Sequence, residues 1–279
     1  MKKKRVGKVL VVIALVCIML GAMMIGAGFA SGGSISSLHV GKDNTSWWPF
    51  HVSIGLYHDG EFGIITSEED DDNTASWDRE LPSGTKLKID MDQGDIKVKK
   101  GAGASVQFTK IKESNVSFYE EDGTQVIKIK HPNHFMNING GRIEITLPEK
   151  DYDLEIDNNL GDITIEDLSF DHLDIDNDLG DITLSSILSK DTSIEENSGD
   201  VSVQGTFGGR TKIENDLGDI QIDLNGDRDA YALEVSNHLG DTNIDGEIHE
   251  FQSKIKENKG KADSLKVENH LGYIRITFR

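Results

Sequence analysis

Cysteine is nearly absent from this sequence, and proline is rare. The single cysteine, Cys17, lies inside an apolar N-terminal run. A disulfide or a cysteine-ligated zinc site is therefore excluded from the rest of the chain. Only four prolines accompany 29 glycines among the 279 residues. That balance favours tight turns between short strands over a proline-rich stalk.

Positive charge is also scarce. The 29 lysines and arginines face 49 aspartates and glutamates, which gives a net charge of −20. This balance argues against a nucleic-acid partner, because phosphate binding needs clustered basic residues. The acidic surface instead keeps copies of the chain apart and attracts divalent cations. The sequence has no P-loop, nucleophile elbow or glycine-rich nucleotide fingerprint, and we predict that the chain is not an enzyme.

The N-terminus has the pattern of a membrane anchor. Residues 1–8 read MKKKRVGK, and residues 9–30 carry no charge. Those 22 residues, as a helix, can cross about 30 Å of hydrocarbon. The basic tip stays in the cytoplasm, which places the C-terminal part outside a cell membrane crossed once. The alternative is a signal peptide cleaved after Ala30, where small residues precede Ser31.

A repeated Gly-Asp signature organises the second half of the chain. Six segments share the pattern: LEIDNNLGDITI, LDIDNDLGDITL, TSIEENSGDVSV, TKIENDLGDIQI, LEVSNHLGDTNI and LKVENHLGYIRI. Their glycines are Gly161, Gly180, Gly199, Gly218, Gly240 and Gly272, at intervals of 19, 19, 19, 22 and 32 residues. An outlying copy surrounds Gly94. IKENKG, which ends at Gly260 inside the longest interval, resembles a decayed copy.

Apolar residues recur at fixed distances from each glycine. In the first repeat they are Leu154, Ile156 and Leu160 before Gly161, then Ile163 and Ile165 after it. The first three share parity, so they point to one face of a strand. The step from Leu160 to Ile163 is odd, and a continuous strand would turn the second set outward. A bend at Leu-Gly-Asp returns both sets, the leucine included, to one interior.

The repeats predict an all-β fold, a β-solenoid of about 19 residues per turn behind one transmembrane helix. Successive repeats stack about 4.8 Å apart and bury their shared apolar face. A β-sandwich of hairpins is the nearest alternative, but it does not explain the equal spacing. The solenoid covers residues 77–279, less regular over 77–150 and carrying the repeats over 151–279. Residues 1–30 form the tip and anchor, and residues 31–76 form a tether with an acidic run.

The residue after the glycine is the best candidate for a cation site. It is aspartate in five repeats: Asp162, Asp181, Asp200, Asp219 and Asp241. In register these carboxylates form a column, and carboxylate oxygens are ligands for Ca²⁺. The alternative, which we favour, is that each aspartate caps its own turn by accepting backbone N–H bonds. The RTX-type calcium repeat is absent, so we predict no cofactor, with Ca²⁺ as the minor alternative.

The residue three before the glycine is asparagine in most repeats. These asparagines are Asn158, Asn177, Asn215, Asn237 and Asn269. They share parity with the apolar positions, and we predict an inward ladder bonded side chain to side chain. His238 and His270 share a position two before the glycine and are expected at the surface of the bend. His131 and His134 have a metal-like spacing, but no third ligand accompanies them.

The repeated LGDI signature behind one N-terminal span resembles the putative-adhesin family of bacterial envelope proteins. The similarity covers residues 77–279 and is clearest from Asp153 onward. Within that family the chain resembles the LiaG-like, membrane-anchored members of Gram-positive bacteria. The resemblance implies a β-helix-like fold, a surface location and an association with envelope stress. It implies no catalytic residues.

These observations predict a non-catalytic envelope module that presents an acidic solenoid surface to a protein or a cell-wall polymer. Two alternatives remain open. Solenoid ends can stack on one another, which would make the chain a self-assembling structural element. Some β-helix proteins are carbohydrate-active enzymes with acidic clefts, but catalysis needs two carboxylates with different environments, whereas these acids recur in every repeat.

Overall fold

The structure is a computed structural model that describes residues 52–56, 62–66, 76–130 and 141–279. The chain divides into two compact units, residues 1–71 and 72–279. In the first unit β1 (Val52–Leu56) pairs antiparallel with β2 (Phe62–Thr66). The predicted anchor at 9–30 lies outside the described residues, as do Cys17, His131 and His134. Among the residues that are described, no helix is long and apolar enough to cross a membrane.

The second unit is a stack of parallel strands in two walls joined by the bends. The first wall, in spatial order, contains β8 (Thr124–Ile129), β4 (Lys86–Met91), β10 (Asp151–Asn158), β12 (Ser169–Asn177), the C-terminal parts of β13 (Ile182–Glu196) and β14 (Val201–Asn215), β20 (Asp263–Asn269) and β16 (Tyr231–Asn237). The second wall contains β9 (Gly141–Leu147), β5 (Gly94–Lys100), β11 (Ile163–Glu166), the N-terminal parts of β13 and β14, β15 (Ile220–Leu224), β21 (Ile274–Phe278) and β17 (Thr242–Ile244). The predicted all-β, solenoid-like architecture is confirmed.

Both ends of the stack are closed by reversed strands. At one end β7 (Val116–Glu121) lies antiparallel on β8, β6 (Ser105–Thr109) lies antiparallel on β9, and β3 (Ser76–Glu80) lies on β6. At the other end β19 (Ser253–Glu257) covers β16, and β18 (Glu247–His249) covers β17. These short strands with many charged residues protect the terminal rungs from pairing with another sheet.

The rungs do not follow the order of the sequence. The bend glycines stack as Gly94, Gly161, Gly180, Gly199, Gly218, Gly272 and Gly240, so the last repeat is inserted between two earlier ones. The expectation that successive repeats stack is therefore wrong at the C-terminal end. The chain runs outward to β16 and β17, forms the closing strands, and returns to fill the rung beneath. The interval of 19 residues holds only where neighbours in sequence are neighbours in space.

The segment ending at Gly260 is not a decayed rung. Its strand, β19, pairs antiparallel with β16, with Ile255 opposite Val235, whereas every repeat pairs in parallel. Gly260 lies in a turn after this strand. The sequence resembles that of a repeat because both contain a short alternating strand followed by a glycine turn, a pattern that does not encode strand direction.

The apolar columns form the core where the periodicity places them. Ile156, Ile175 and Ile194 stand opposite one another in adjacent rungs, and each is at most 1% exposed. The columns two and four after the glycine are equally buried, as Ile163 and Ile165 show. A fully buried isoleucine contributes about 1.5–3 kcal/mol, so each rung gains stability only by contact with its neighbours.

Candidate interaction surface

The bends stack into one edge of the solenoid. The amide of Gly161 donates to the carbonyl of Leu179 at 2.8 Å. The amide of Gly199 donates to the carbonyl of Leu217 at 2.9 Å. The six repeat glycines have φ between +137° and +156°, which disfavours a residue with a side chain. A Cβ on Gly180 would lie 2.1 Å from the carbonyl oxygen of Gly161. The close approach of neighbouring bends therefore requires glycine.

The residues before the glycines form an exposed apolar line, which we call the leucine ridge. Its members in spatial order are Leu160, Leu179, Ser198, Leu217, Leu271 and Leu239. The five leucines are 38–52% exposed. The prediction that they point to the interior is wrong. In every repeat the strand of the first wall ends three residues before the glycine, at an asparagine or at Glu196, and the alternation of a strand does not continue into the bend.

The predicted aspartate column, which directly follows the bend glycines, is exposed. Each carboxylate accepts a hydrogen bond from the backbone of the next rung: Asp162 Oδ1 from the amide of Asp181 at 3.0 Å, and Asp181 Oδ1 from the amide of Asp200 at 2.9 Å. Asp200 and Asp219 continue the pattern to Tyr273, which occupies the aspartate position of the inserted rung. The aspartates therefore cap the neighbouring rung rather than their own turn.

The two ends of this column depart from the repeat. Asp95, which sequence reasoning did not single out, begins the column by accepting from the amide of Asp162 at 3.4 Å. The sequence feature that could have identified Asp95 is the Gly-Asp pair in the outlying copy of the repeat at Gly94. Asp241, at the other end, instead accepts from the amide of Phe251 at 2.9 Å in the closing segment. All these carboxylates hold backbone groups in place.

Replacing Asp181 by alanine is expected to lower the free energy of unfolding by about 1 kcal/mol, because the amide of Asp200 loses its acceptor. Asp227→Ala is the matched control, since that side chain makes no capping hydrogen bond. Denaturant unfolding measures both. Because the column serves the backbone, millimolar Ca²⁺ should leave the melting temperature unchanged; a clear rise would identify a bound cation.

The predicted asparagine positions are inside. Asn158, Asn177, Asn215, Asn237 and Asn269 are each at most 1% exposed. The side-chain ladder exists in only part of the stack: Asn158 Nδ2 donates to Asn177 Oδ1 at 3.1 Å, and Asn177 Nδ2 donates to the carboxylate at the next rung. The amides of Asn215, Asn237 and Asn269 donate instead to glycine carbonyls. Asn215 Nδ2, for example, donates to the carbonyl of Gly199 at 2.9 Å. In these rungs the bend places a glycine carbonyl within reach of the asparagine side-chain amide, which donates to it instead of to the asparagine of the next rung.

One rung carries a carboxylate where the others carry an amide. Glu196 takes the asparagine position of the Gly199 repeat and is 2% exposed. Its Oε2 accepts from Asn177 Nδ2 at 2.8 Å, and its Oε1 accepts from the amide of Ser198 at 2.9 Å. Burial raises the pKa of Glu196 to about 7, although both hydrogen bonds act to lower it. The sequence could have identified Glu196, because its repeat is the one repeat of the six with a residue other than asparagine three before the glycine.

The outer face of the first wall carries acids matched by bases. Lys212 lies 3.0 Å from Glu195 and 2.9 Å from Glu214, and Lys266 lies 2.8 Å from Glu214. A shallow groove on this face is lined by His172, Asp174, Asp191, Arg210 and Lys212, among others. Burial raises the pKa of Asp174, with a smaller contribution from Glu155. The ion pairs on this face resemble a solvated surface more than an acid and base pair poised for catalysis.

Comparison with known proteins gives one family match and several similar solved structures. Residues 79–277 match the Toastrack DUF4097 family. Among solved structures, the chain is similar to a putative cell adhesion protein from Clostridium sporogenes, at 16% identity and a TM-score of 0.44, over 74% of this chain and 99% of that one. A putative adhesin from Bacteroides fragilis is similar at 10% identity and a TM-score of 0.39, over 74% and 96%.

A third similar structure has a different description. It is a putative lipid binding protein from Parabacteroides distasonis, at 13% identity and a TM-score of 0.29, over 74% of this chain and 98% of that one. No curated protein matches the chain. The family match spans the solenoid from the first closing strand to the last rung, and the chain therefore belongs to the Toastrack DUF4097 family.

Proposed function

We propose that this chain is a non-catalytic binding module of the bacterial envelope, held at the cell membrane by residues 9–30, and that its leucine ridge contacts a protein partner. The single observation that carries the proposal is the exposure of five leucines at one repeat position along one edge, with Ser198 at the remaining repeat. Large apolar side chains are normally scattered on a soluble surface, and a contiguous set marks an interaction site.

The surroundings of the ridge define the kind of partner. The exposed aspartate column follows the bend glycines, and Asp178 and Asp216, neither of them buried, directly precede the ridge residues Leu179 and Leu217. An apolar centre with a charged rim is the usual anatomy of a protein interface. The partner would present an apolar strip between basic side chains, because the net charge of −20 favours a cationic rim. A line of leucines favours an apolar strip of protein over the hydroxyl-rich surface of a wall glycan.

Self-assembly through the ends of the stack is less well supported. End-to-end stacking needs a terminal strand that can accept a parallel neighbour, but the described ends carry short antiparallel strands. β19 reads SKIKE, and lysines on an edge strand oppose pairing with another sheet. A carbohydrate-active enzyme is also less well supported, because the repeated acids cap backbone groups or pair with lysines.

Replacing Leu179, Leu217 and Leu271 by serine is expected to abolish binding of the partner and to change stability little. Ser198 already occupies the same position, so the bend accepts serine, and each leucine has about half its surface in water. The measurement is crosslinking in cells followed by purification of the anchored chain, with and without envelope stress, because the family resemblance points to stress loci.

Leu188→Ser is the matched control, since Leu188 is 52% exposed but does not belong to the ridge. Its adducts should equal those of the unmodified chain. If the triple variant retained every adduct, the ridge would not be the binding surface. If the only adducts were to wall polymer, the partner would be a glycan and not a protein.

A further inference from the structure

The inserted rung brings together two histidines that are 32 residues apart. His238 belongs to the Gly240 rung and His270 to the Gly272 rung, and Asn237 stands opposite Asn269 in the parallel pairing just before them. The two imidazole rings stack with centroids 4.6 Å apart and an angle of 20°. Their shared position two before the glycine predicts both at the surface of the bend. Their contact depends on the rung order, which the sequence does not show.

Hydrogen bonds fix the tautomer of both rings. His238 Nδ1 lies 3.2 Å from the carbonyl oxygen of Asn269, and His270 Nδ1 lies 2.8 Å from Asp216 Oδ1. Both oxygens only accept, so each Nδ1 carries the hydrogen and each Nε2 of the neutral ring keeps a free lone pair. Histidines that bind metals are held in this way, with one nitrogen donating to a carbonyl or carboxylate.

Glu268 supplies a third donor atom. It stands two residues before His270, and one ligand atom from each of the three side chains lies within 4.8 Å of the others. Lys266 Nζ lies 3.2 Å from Glu268 Oε2, but it also lies 2.8 Å from Glu214 Oε1. The lysine therefore keeps an acidic partner if Glu268 turns toward an ion.

We propose that His238, His270 and Glu268 bind a divalent first-row transition ion, represented by Zn²⁺. Two imidazoles and one carboxylate suit Zn²⁺ better than Ca²⁺, which prefers an all-oxygen shell. Three protein ligands leave the fourth tetrahedral position to water. Zn–N and Zn–O distances of about 2.0–2.2 Å require the three side chains to rotate toward one another, which their surface position permits.

The site would join the last two rungs. His238 precedes the closing strands and His270 follows them, so an ion held by both would fix the inserted rung against the rung that it supports. This inference is independent of the leucine ridge, because it rests on ring geometry and tautomers rather than on apolar exposure.

The test is Zn²⁺ binding to the full chain by isothermal titration calorimetry and equilibrium dialysis. The double variant His238→Gln, His270→Gln should bind one equivalent fewer than the unmodified chain. His172→Gln and His134→Gln are the controls and should retain the full number, which separates this site from the other histidines. The proposal is wrong if the double variant, shown by circular dichroism to be folded, binds as much Zn²⁺ as the unmodified chain, or if the unmodified chain binds none.

Two further readouts report the site without relying on stoichiometry. Asp216→Asn should weaken the affinity about tenfold, because it removes the carboxylate that orients His270. Zn²⁺ at about 100 times its dissociation constant should raise the melting temperature by roughly 5 °C or more, and the double variant should lose that rise. An equal rise in the double variant would place the bound ion elsewhere.

Discussion

Replacing Gly180 by alanine is expected to destabilise the solenoid by about 4 kcal/mol or more, an exceptional loss for a single methyl group. The Cβ would lie 2.1 Å from the carbonyl oxygen of Gly161 and 2.6 Å from its carbonyl carbon. Both atoms are backbone, so no side-chain rotation can relieve the contact. The φ of +141° adds strain for any residue with a side chain.

The damage should extend beyond the substituted residue. Separating the two bends would lengthen the hydrogen bond from the amide of Gly161 to Leu179, now 2.8 Å, and that from the amide of Asp181 to Asp162, now 3.0 Å. Denaturant unfolding monitored by circular dichroism measures the loss. Gly103→Ala is the matched control, because a Cβ at Gly103 meets no atom within 4 Å, and it should be close to neutral. An unchanged midpoint for Gly180→Ala would refute the stacking of the bends.

Replacing Glu196 by asparagine is expected to gain about 3 kcal/mol of stability over the unmodified chain between pH 4.5 and pH 8. The folded pKa is about 7 against 4.5 for the free side chain, and each pH unit between them is worth about 1.4 kcal/mol. The folded state binds more protons than the unfolded state in this interval. The contribution of Glu196 to the free energy of unfolding therefore falls as the pH rises from about 4.5 to 7. Asparagine removes the charge and can repeat the contacts of Asn215, whose Oδ1 accepts from the amide of Leu217 at 3.1 Å.

The difference in stability between the variant and the unmodified chain isolates this effect. It should grow by about 3 kcal/mol between pH 4.5 and 8 and then stay constant, whatever the other carboxylates contribute. Glu120→Gln, at an exposed position, should leave the pH dependence of the unmodified chain in place. A stability difference that did not vary with pH would show that Glu196 is not a buried carboxylate.

Much of the fold was predictable because the repeat encodes it directly. Ile156 and Ile163 stand at fixed distances from Gly161, and their burial follows from strand alternation on either side of a bend. The inward asparagines follow from the same parity. These features are local, and each is set by residues within one repeat.

The order of the rungs was not predictable, because it depends on contacts between distant segments. The Gly272 repeat pairs with both Gly218 and Gly240 rungs through main-chain bonds that any strand sequence can make. The direction of β19 was missed for the same reason. The contact between His238 and His270 follows only from that order, so the sequence of a single repeat does not predict it.

The exposure of the leucines was mispredicted because strand parity was carried into the bend. Leu217 follows Asn215 by two residues, which in a strand would give both side chains the same direction. The strand ends at Asn215, and the next residues turn. The repeated leucine was therefore interpreted as a core position, although Ser198 at the equivalent place shows that the position does not require an apolar residue.

The most direct test of the proposed binding role is site-specific photocrosslinking of the full chain in living cells. A photoreactive residue at position 217 lies on the leucine ridge, and one at position 221 lies on the exposed face of β15 in the same rung. We predict a discrete protein adduct at 217 that disappears when Leu179 and Leu271 are replaced by serine, and no such adduct at 221. Adducts of equal yield at both positions, or none at 217, would contradict the assignment of the ridge as the binding surface.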